Sequence, residues 1–117
     1  MTKSEVAGVF QPERSPLRVT FIVMSGSSLM CAASAIDPLR AANRVQGSTV
    51  FDWKVVSMDG LPAVTTSGLP IAVSGRFDPR EPTDMLAVIG GFGARDHPGT
   101  RLLSGLRTAA RTARAYG

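Results

Sequence analysis

The segment Leu17-Arg18-Val19-Thr20-Phe21-Ile22-Val23-Met24 constrains this chain more than any other. It is rich in β-branched residues and nearly continuously apolar, and it lacks the strict alternation of a strand that is wet on one face. Such a run suits a strand covered on both faces, the setting of an interior strand in a parallel sheet. Asp84-Met85-Leu86-Ala87-Val88-Ile89 repeats the pattern and ends in Gly90-Gly91-Phe92-Gly93-Ala94. The two runs predict neighbouring parallel strands with a helix packed across one face.

The segments between them supply the crossovers. Ser25-Gly26-Ser27-Ser28 is a tight turn whose hydroxyls can cap a helix. The helix is expected from about Leu29 to Arg44, with Leu29, Met30, Ala33, Ile36 and Leu39 as its apolar stripe and Gly47 as its stop. Pro38 lies inside it, removes a backbone bond to the Ser34 carbonyl and should bend it. Phe51–Ser57 alternates with period two and predicts a strand with one wetter face, closed by an Asp59-Gly60 turn. Ala63–Thr66 and Leu69–Val73, separated by Ser67-Gly68, predict a hairpin, and Gly75–Pro82 predicts a loop. After His97-Pro98-Gly99, a helix is expected over about Thr100–Ala115, burying Leu102, Leu103, Leu106, Ala109, Ala110 and Ala113 and exposing Arg107, Arg111 and Arg114.

This order predicts an α/β fold, a flavodoxin-like three-layer sandwich with a mostly parallel sheet. Residues 1–16, polar and aperiodic with Pro12 and Pro16, read as a mobile amino-terminal arm, and 17–117 as the folded part. On this reading the chain stops on a helix at Tyr116-Gly117, where the architecture calls for a returning strand, so the domain looks truncated at its carboxyl end.

Composition narrows the function classes. The 117 residues suit one domain, and 44% hydrophobic with 19% charged residues is globular. No apolar stretch is long enough for a membrane span, and the amino end lacks a signal-peptide pattern, so a cytoplasmic location and no membrane partner are expected. Thirteen basic against nine acidic residues are spread along the chain without a basic stripe interleaved with aromatics, which reads as a solvated surface rather than a nucleic-acid footprint. A single cysteine, Cys31, and a single histidine, His97, exclude an internal disulfide and argue against a metal centre. No cofactor is expected. Gly91-x-Gly93 is not a dinucleotide fingerprint, because Asp96 stands where the third glycine belongs.

The segment Ala33-Ser34-Ala35-Ile36-Asp37-Pro38-Leu39-Arg40-Ala41-Ala42-Asn43-Arg44 resembles the first helix of the amino-terminal domain in GlxA-type regulators of the AraC family. The Val19–Met24 strand, the Trp53–Ser57 strand, the Thr66-Ser67-Gly68-Leu69 hairpin and the Ile89-Gly90-Gly91 loop follow in that family's order, so the resemblance covers about Leu17 to Gly117. Those domains are similar to PfpI/ThiJ and class I glutamine amidotransferase domains that have become sensors. The resemblance implies a small-molecule effector, with an amino acid or amine metabolite as the candidate class, a homodimer, and DNA contact only through a helix-turn-helix domain outside this chain. It also implies that the nucleophile elbow of the enzymatic relatives lies beyond Gly117, so no catalytic residue is assigned and the chain alone is expected to be inactive. The alternative is a fragment of a PfpI-like cysteine hydrolase or lyase.

Candidate ligand-binding residues are Ser25, Gly26, Ser27, Cys31, Gly90, Gly91 and Phe92. The two turns follow buried strands and should face one crevice at the carboxyl edge of the sheet. Gly90 and Gly91 can bring amides close to a ligand oxygen, or can simply form a tight strand exit. Phe92 can wall the site against an amine. Cys31 stands near where enzymatic relatives carry an acid; taken alone it reads as a small buried apolar residue. Asp37, Arg40 and Arg44 read as helix-surface ion pairs and His97 as solvated.

Overall fold

The computed structural model describes residues 16–90, 105–108 and 115–116. The expected arm lies almost wholly outside them, as do Gly91, Phe92, His97 and most of the second predicted helix. The elements are β1 (Leu17–Val23), α1 (Leu29–Gln46), β2 (Phe51–Ser57), β3 (Ala63–Val64), β4 (Pro70–Ile71), β5 (Gly75–Arg76), β6 (Met85–Ile89) and β7 (Ala115–Tyr116), with residues 105–108 helical.

β1 is central because both its edges and both its faces are occupied. The main sheet is five-stranded in the order β5-β2-β1-β6-β7, and all its pairings are parallel. Alternate residues of β1 enter opposite layers, as side chains on a pleated strand must. Val19, Phe21 and Val23 pack with Ala32, Ala63 and Ile89 beneath α1, where Ala35, Ile36 and Leu39 complete the layer. Ile22 and Met24 pack with Val56, Phe77 and Leu86 on the other face, against Leu106 of the helical residues 105–108. The apolar continuity of β1 thus reflects two cores sharing one strand.

Local chemistry sets the limits of α1. Ser28 is its N-cap, with Oγ accepting from the Cys31 amide at 3.4 Å. Gly47 ends it at φ 69°, a left-handed conformation that costs glycine little. The helix runs unbroken through Pro38; Ser34 and Pro38 are both exposed, so water can take the bond that the proline cannot make. Its buried face differs from the expected stripe. Ala32 is the buried residue, with Ala35, Ile36 and Leu39 half-buried, whereas Leu29 is 39% and Met30 76% exposed and Ala33 is exposed.

Two further expectations are corrected. Gly75–Arg76, expected within a loop, is the edge strand β5, paired with Val56 and Ser57. Ala115, expected to end a helix, opens β7, which pairs Met85 with Ala115 and Leu86 with Tyr116. The returning strand is therefore present and protects the outer edge of β6. The hairpin forms where expected, but its ladder is confined to Ala63↔Ile71 and Val64↔Pro70. β2 is wet only in its first half: Asp52 is exposed, while Val56 and Ser57 are buried.

Candidate functional site

Val23 pairs with Ile89, and the Met24 amide donates to the Ile89 carbonyl at 2.9 Å, so β1 and β6 finish together. Ser25-Gly26-Ser27 and Gly90 therefore leave the sheet side by side at its carboxyl edge, the edge at which open α/β sheets hold ligands. Gly26 turns the chain at φ 84°, a left-handed conformation that branched or bulky side chains resist.

The turn is roofed by the β3–β4 hairpin. The Gly26 amide donates to the Val64 carbonyl at 2.8 Å, and the Thr66 amide donates to the Ser27 carbonyl at 3.0 Å. Inside the hairpin, the Thr65 hydroxyl donates to the Leu69 carbonyl at 2.7 Å and lies 3.0 Å from the Ser67 hydroxyl. Ser25 is exposed and Gly26 and Gly90 are half-buried, but Ser27 is 0% exposed and its Oγ has no hydrogen-bond partner among the described residues.

The structure thus brings Ser25, Gly26, Ser27 and Gly90 together. Gly91 and Phe92 lie outside the described residues. Cys31, expected to be buried, is exposed, because the first turn of α1 directs Ala32 rather than its neighbours into the core. Ser25, Gly26, Ser27 and Gly90 offer hydroxyl and backbone groups, which suit hydrogen bonding to a polar ligand.

Charge gathers at the opposite, amino edge. The Arg18 amide donates to Asp84 Oδ2 at 2.8 Å, Lys54 pairs with Glu81, and the Thr20 hydroxyl donates to the Thr83 hydroxyl at 3.0 Å. On α1, Asp37 and Arg40 form the expected surface pair at 2.9 Å. The Arg40 hydrogen bond and charge hold the Asp37 carboxyl below its ordinary range. Among the described residues no cluster of His, Cys, Asp or Glu could hold a metal ion, and no helix is long and apolar enough to cross a membrane.

Sequence reasoning passed over the anchors of the hairpin. The Ser57 hydroxyl donates to the Leu61 carbonyl at 2.7 Å, and Asp59 Oδ1 accepts from the Leu61 amide at 3.0 Å. Asp59 followed by glycine signals a turn, but nothing local shows that the turn ties the hairpin to β2. An apolar groove of about 570 Å³ along α1, lined by Leu29, Met30, Ala33, Pro38 and Ile71 among others, was equally hidden, since Ile71 reaches it from another element.

Over 110 residues, 94% of this chain, the sequence is 30% identical to the HTH-type transcriptional regulator GbdR of Pseudomonas aeruginosa. Over 72 residues, 62% of this chain, it is 36% identical to the HTH-type regulator CdhR of the same species. A crystal structure of an AraC family transcriptional regulator from Pseudomonas putida superposes on 84% of the chain and 62% of its own length, with TM-score 0.65 and 26% identity. The chain is similar in sequence to part of AraC-family transcriptional regulators.

The fold agrees independently. A DJ-1 superfamily protein of Agrobacterium tumefaciens, 18% identical, matches the fold of 81% of this chain and 48% of its own length at TM-score 0.59. No profile of a known protein family matches the chain. The chain spans 30% of the length of GbdR and 21% of CdhR.

Proposed function

We propose that this domain senses a small metabolite and dimerises, passing the signal to a helix-turn-helix domain that alone contacts DNA. The observation that supports the reading is the joint ending of β1 and β6, which sets the Ser25–Ser27 turn beside Gly90 in a chain similar to transcription regulators. The crevice comprises Ser25, Gly26, Ser27 and Gly90, with Gly91, Phe92 and Cys31 completing the set. The effector class is an amino acid or amine metabolite: hydroxyls and amides suit its carboxylate, and the Phe92 ring suits its ammonium. The domain acts as a cytoplasmic homodimer, without a cofactor, a membrane partner or turnover of its own.

A sensor must bind one conformational state more tightly than another, and ligand bound only to the folded state raises the melting temperature. The test is a thermal-shift screen of amino acids and biogenic amines on the full-length regulator, followed by titration of Ser27→Ala and Gly91→Val. Both variants should fold and bind the effector at least tenfold more weakly. Unchanged affinity in both would place the site elsewhere. Amidase or lyase turnover lost on Cys31→Ala would overturn the non-catalytic reading.

A further inference from the structure

We infer that residues 61–74 form a strap closed over Ser27, and that ligand reaches the Ser27 hydroxyl only when the strap lifts. The inference rests on the sensor reading and specifies how its crevice is gated. The strap is fixed at both ends to β2. At one end Ser57 and Asp59 hold Leu61. At the other, the Ser74 amide and hydroxyl both donate to the Val55 carbonyl, at 2.8 and 3.1 Å.

Between these anchors the hairpin forms a sheet separate from the main one, and its backbone is joined to the β1–α1 turn by the Gly26–Val64 and Thr66–Ser27 bonds. Ala63 and Thr65 point inward and are buried, whereas Leu61, Val64 and Leu69 are more than half exposed or close to it, at 63, 50 and 55%. An opening that pivots on the two anchors must therefore release Ala63 and Thr65 from burial, the contact of Ile71 with the core, and the two backbone bonds to the turn.

The closed state also carries a specific penalty. Ser27 Oγ, in the turn to which the strap is bonded, is buried and has no hydrogen-bond partner among the described residues, the costly condition for a hydroxyl. Opening lets water or a ligand oxygen complete that bond, so a ligand that pairs with Ser27 favours the lifted state. Ile71, on the same strap, lines the α1 groove, so lifting changes that surface too.

Residue-resolved hydrogen exchange on the ligand-free, full-length protein tests this. The Gly26 and Thr66 amides should exchange together, at least tenfold faster than the Phe21 and Ile22 amides of the central strand. Ser27→Ala removes the closed-state penalty and should slow both strap amides by about tenfold, leaving Phe21 unchanged. Strap amides that exchange at the Phe21 rate, or that Ser27→Ala leaves unslowed, would overturn the inference. Should the variant not fold, the wild-type comparison decides alone. No ligand enters this experiment, so its failure would leave the sensor reading standing, and an effector screen without hits would leave the strap standing.

Discussion

Asn43 grips Phe51 on both sides of its backbone: Nδ2 donates to the Phe51 carbonyl at 2.9 Å, and Oδ1 accepts from the Phe51 amide at 2.9 Å. The same Oδ1 accepts from the Val50 amide at 2.8 Å, and the Val50 carbonyl in turn accepts from the Leu17 amide at 2.9 Å. One side chain near the end of α1 therefore sets where β2 begins and aligns it with the start of β1. Asn43→Ala would leave part-buried amides unpaired and should cost about 1–3 kcal/mol. Urea denaturation measures this; a change near zero would show that water replaces the side chain fully.

Gly105 stands so close to Phe77 that a Cβ built on it would lie 2.9 Å from the ring Cε2 and 3.3 Å from Pro79 Cγ. Gly105→Ala gains about 1 kcal/mol of helix propensity, but it forces a buried ring to move, at about 1–3 kcal/mol. A net loss of stability is expected. The double variant with Phe77→Leu should lose less than the sum of the two single changes, and strict additivity would exclude the clash.

Met30 and Ile22 should respond oppositely to truncation. Ile22 is 0% exposed and Met30 76% exposed. Ile22→Ala should cost about 2–5 kcal/mol, and Met30→Ala should stay within about 0.5 kcal/mol. Comparable losses in both would mean that the outer face of α1 is covered in the folded protein.

The Asp59 carboxyl is held below its ordinary value of 3.8, chiefly by the Leu61 amide and, less, by the Ser57 hydroxyl. A carboxyl with a depressed folded-state pKa stabilises the fold above its unfolded value and loses that contribution as pH falls through the folded one. The anchor at the Leu61 end of the strap should therefore hold at neutral pH and loosen only below 3.8. An NMR titration of Asp59 with its midpoint at or above 3.8 would contradict this, and Asp59→Asn should remove the acid dependence of Leu61 amide protection.

What could be read from the sequence was what short stretches of chain determine for themselves. β1 and β6 announce themselves because burial on both faces demands an unbroken apolar run. Ser28 and Gly47 mark the limits of α1, because capping needs only a hydroxyl and a residue at ease with positive φ within one turn. The common exit of Ser25–Ser27 and Gly90 followed from two parallel strands of matched length. Tertiary structure decided what depends on a neighbour. Gly75–Arg76 and Ala115–Tyr116 have no strand signature of their own; they are strands because β2 and β6 offer open edges with unpaired backbone groups. Ala32, with Ala35, Ile36 and Leu39, faces the core in place of Leu29 and Met30, a choice of face made by where the sheet lies beside α1. The tie between the Ser25–Ser27 turn and a hairpin more than thirty residues away in sequence is made by backbone groups that every residue carries, and no side-chain pattern records it.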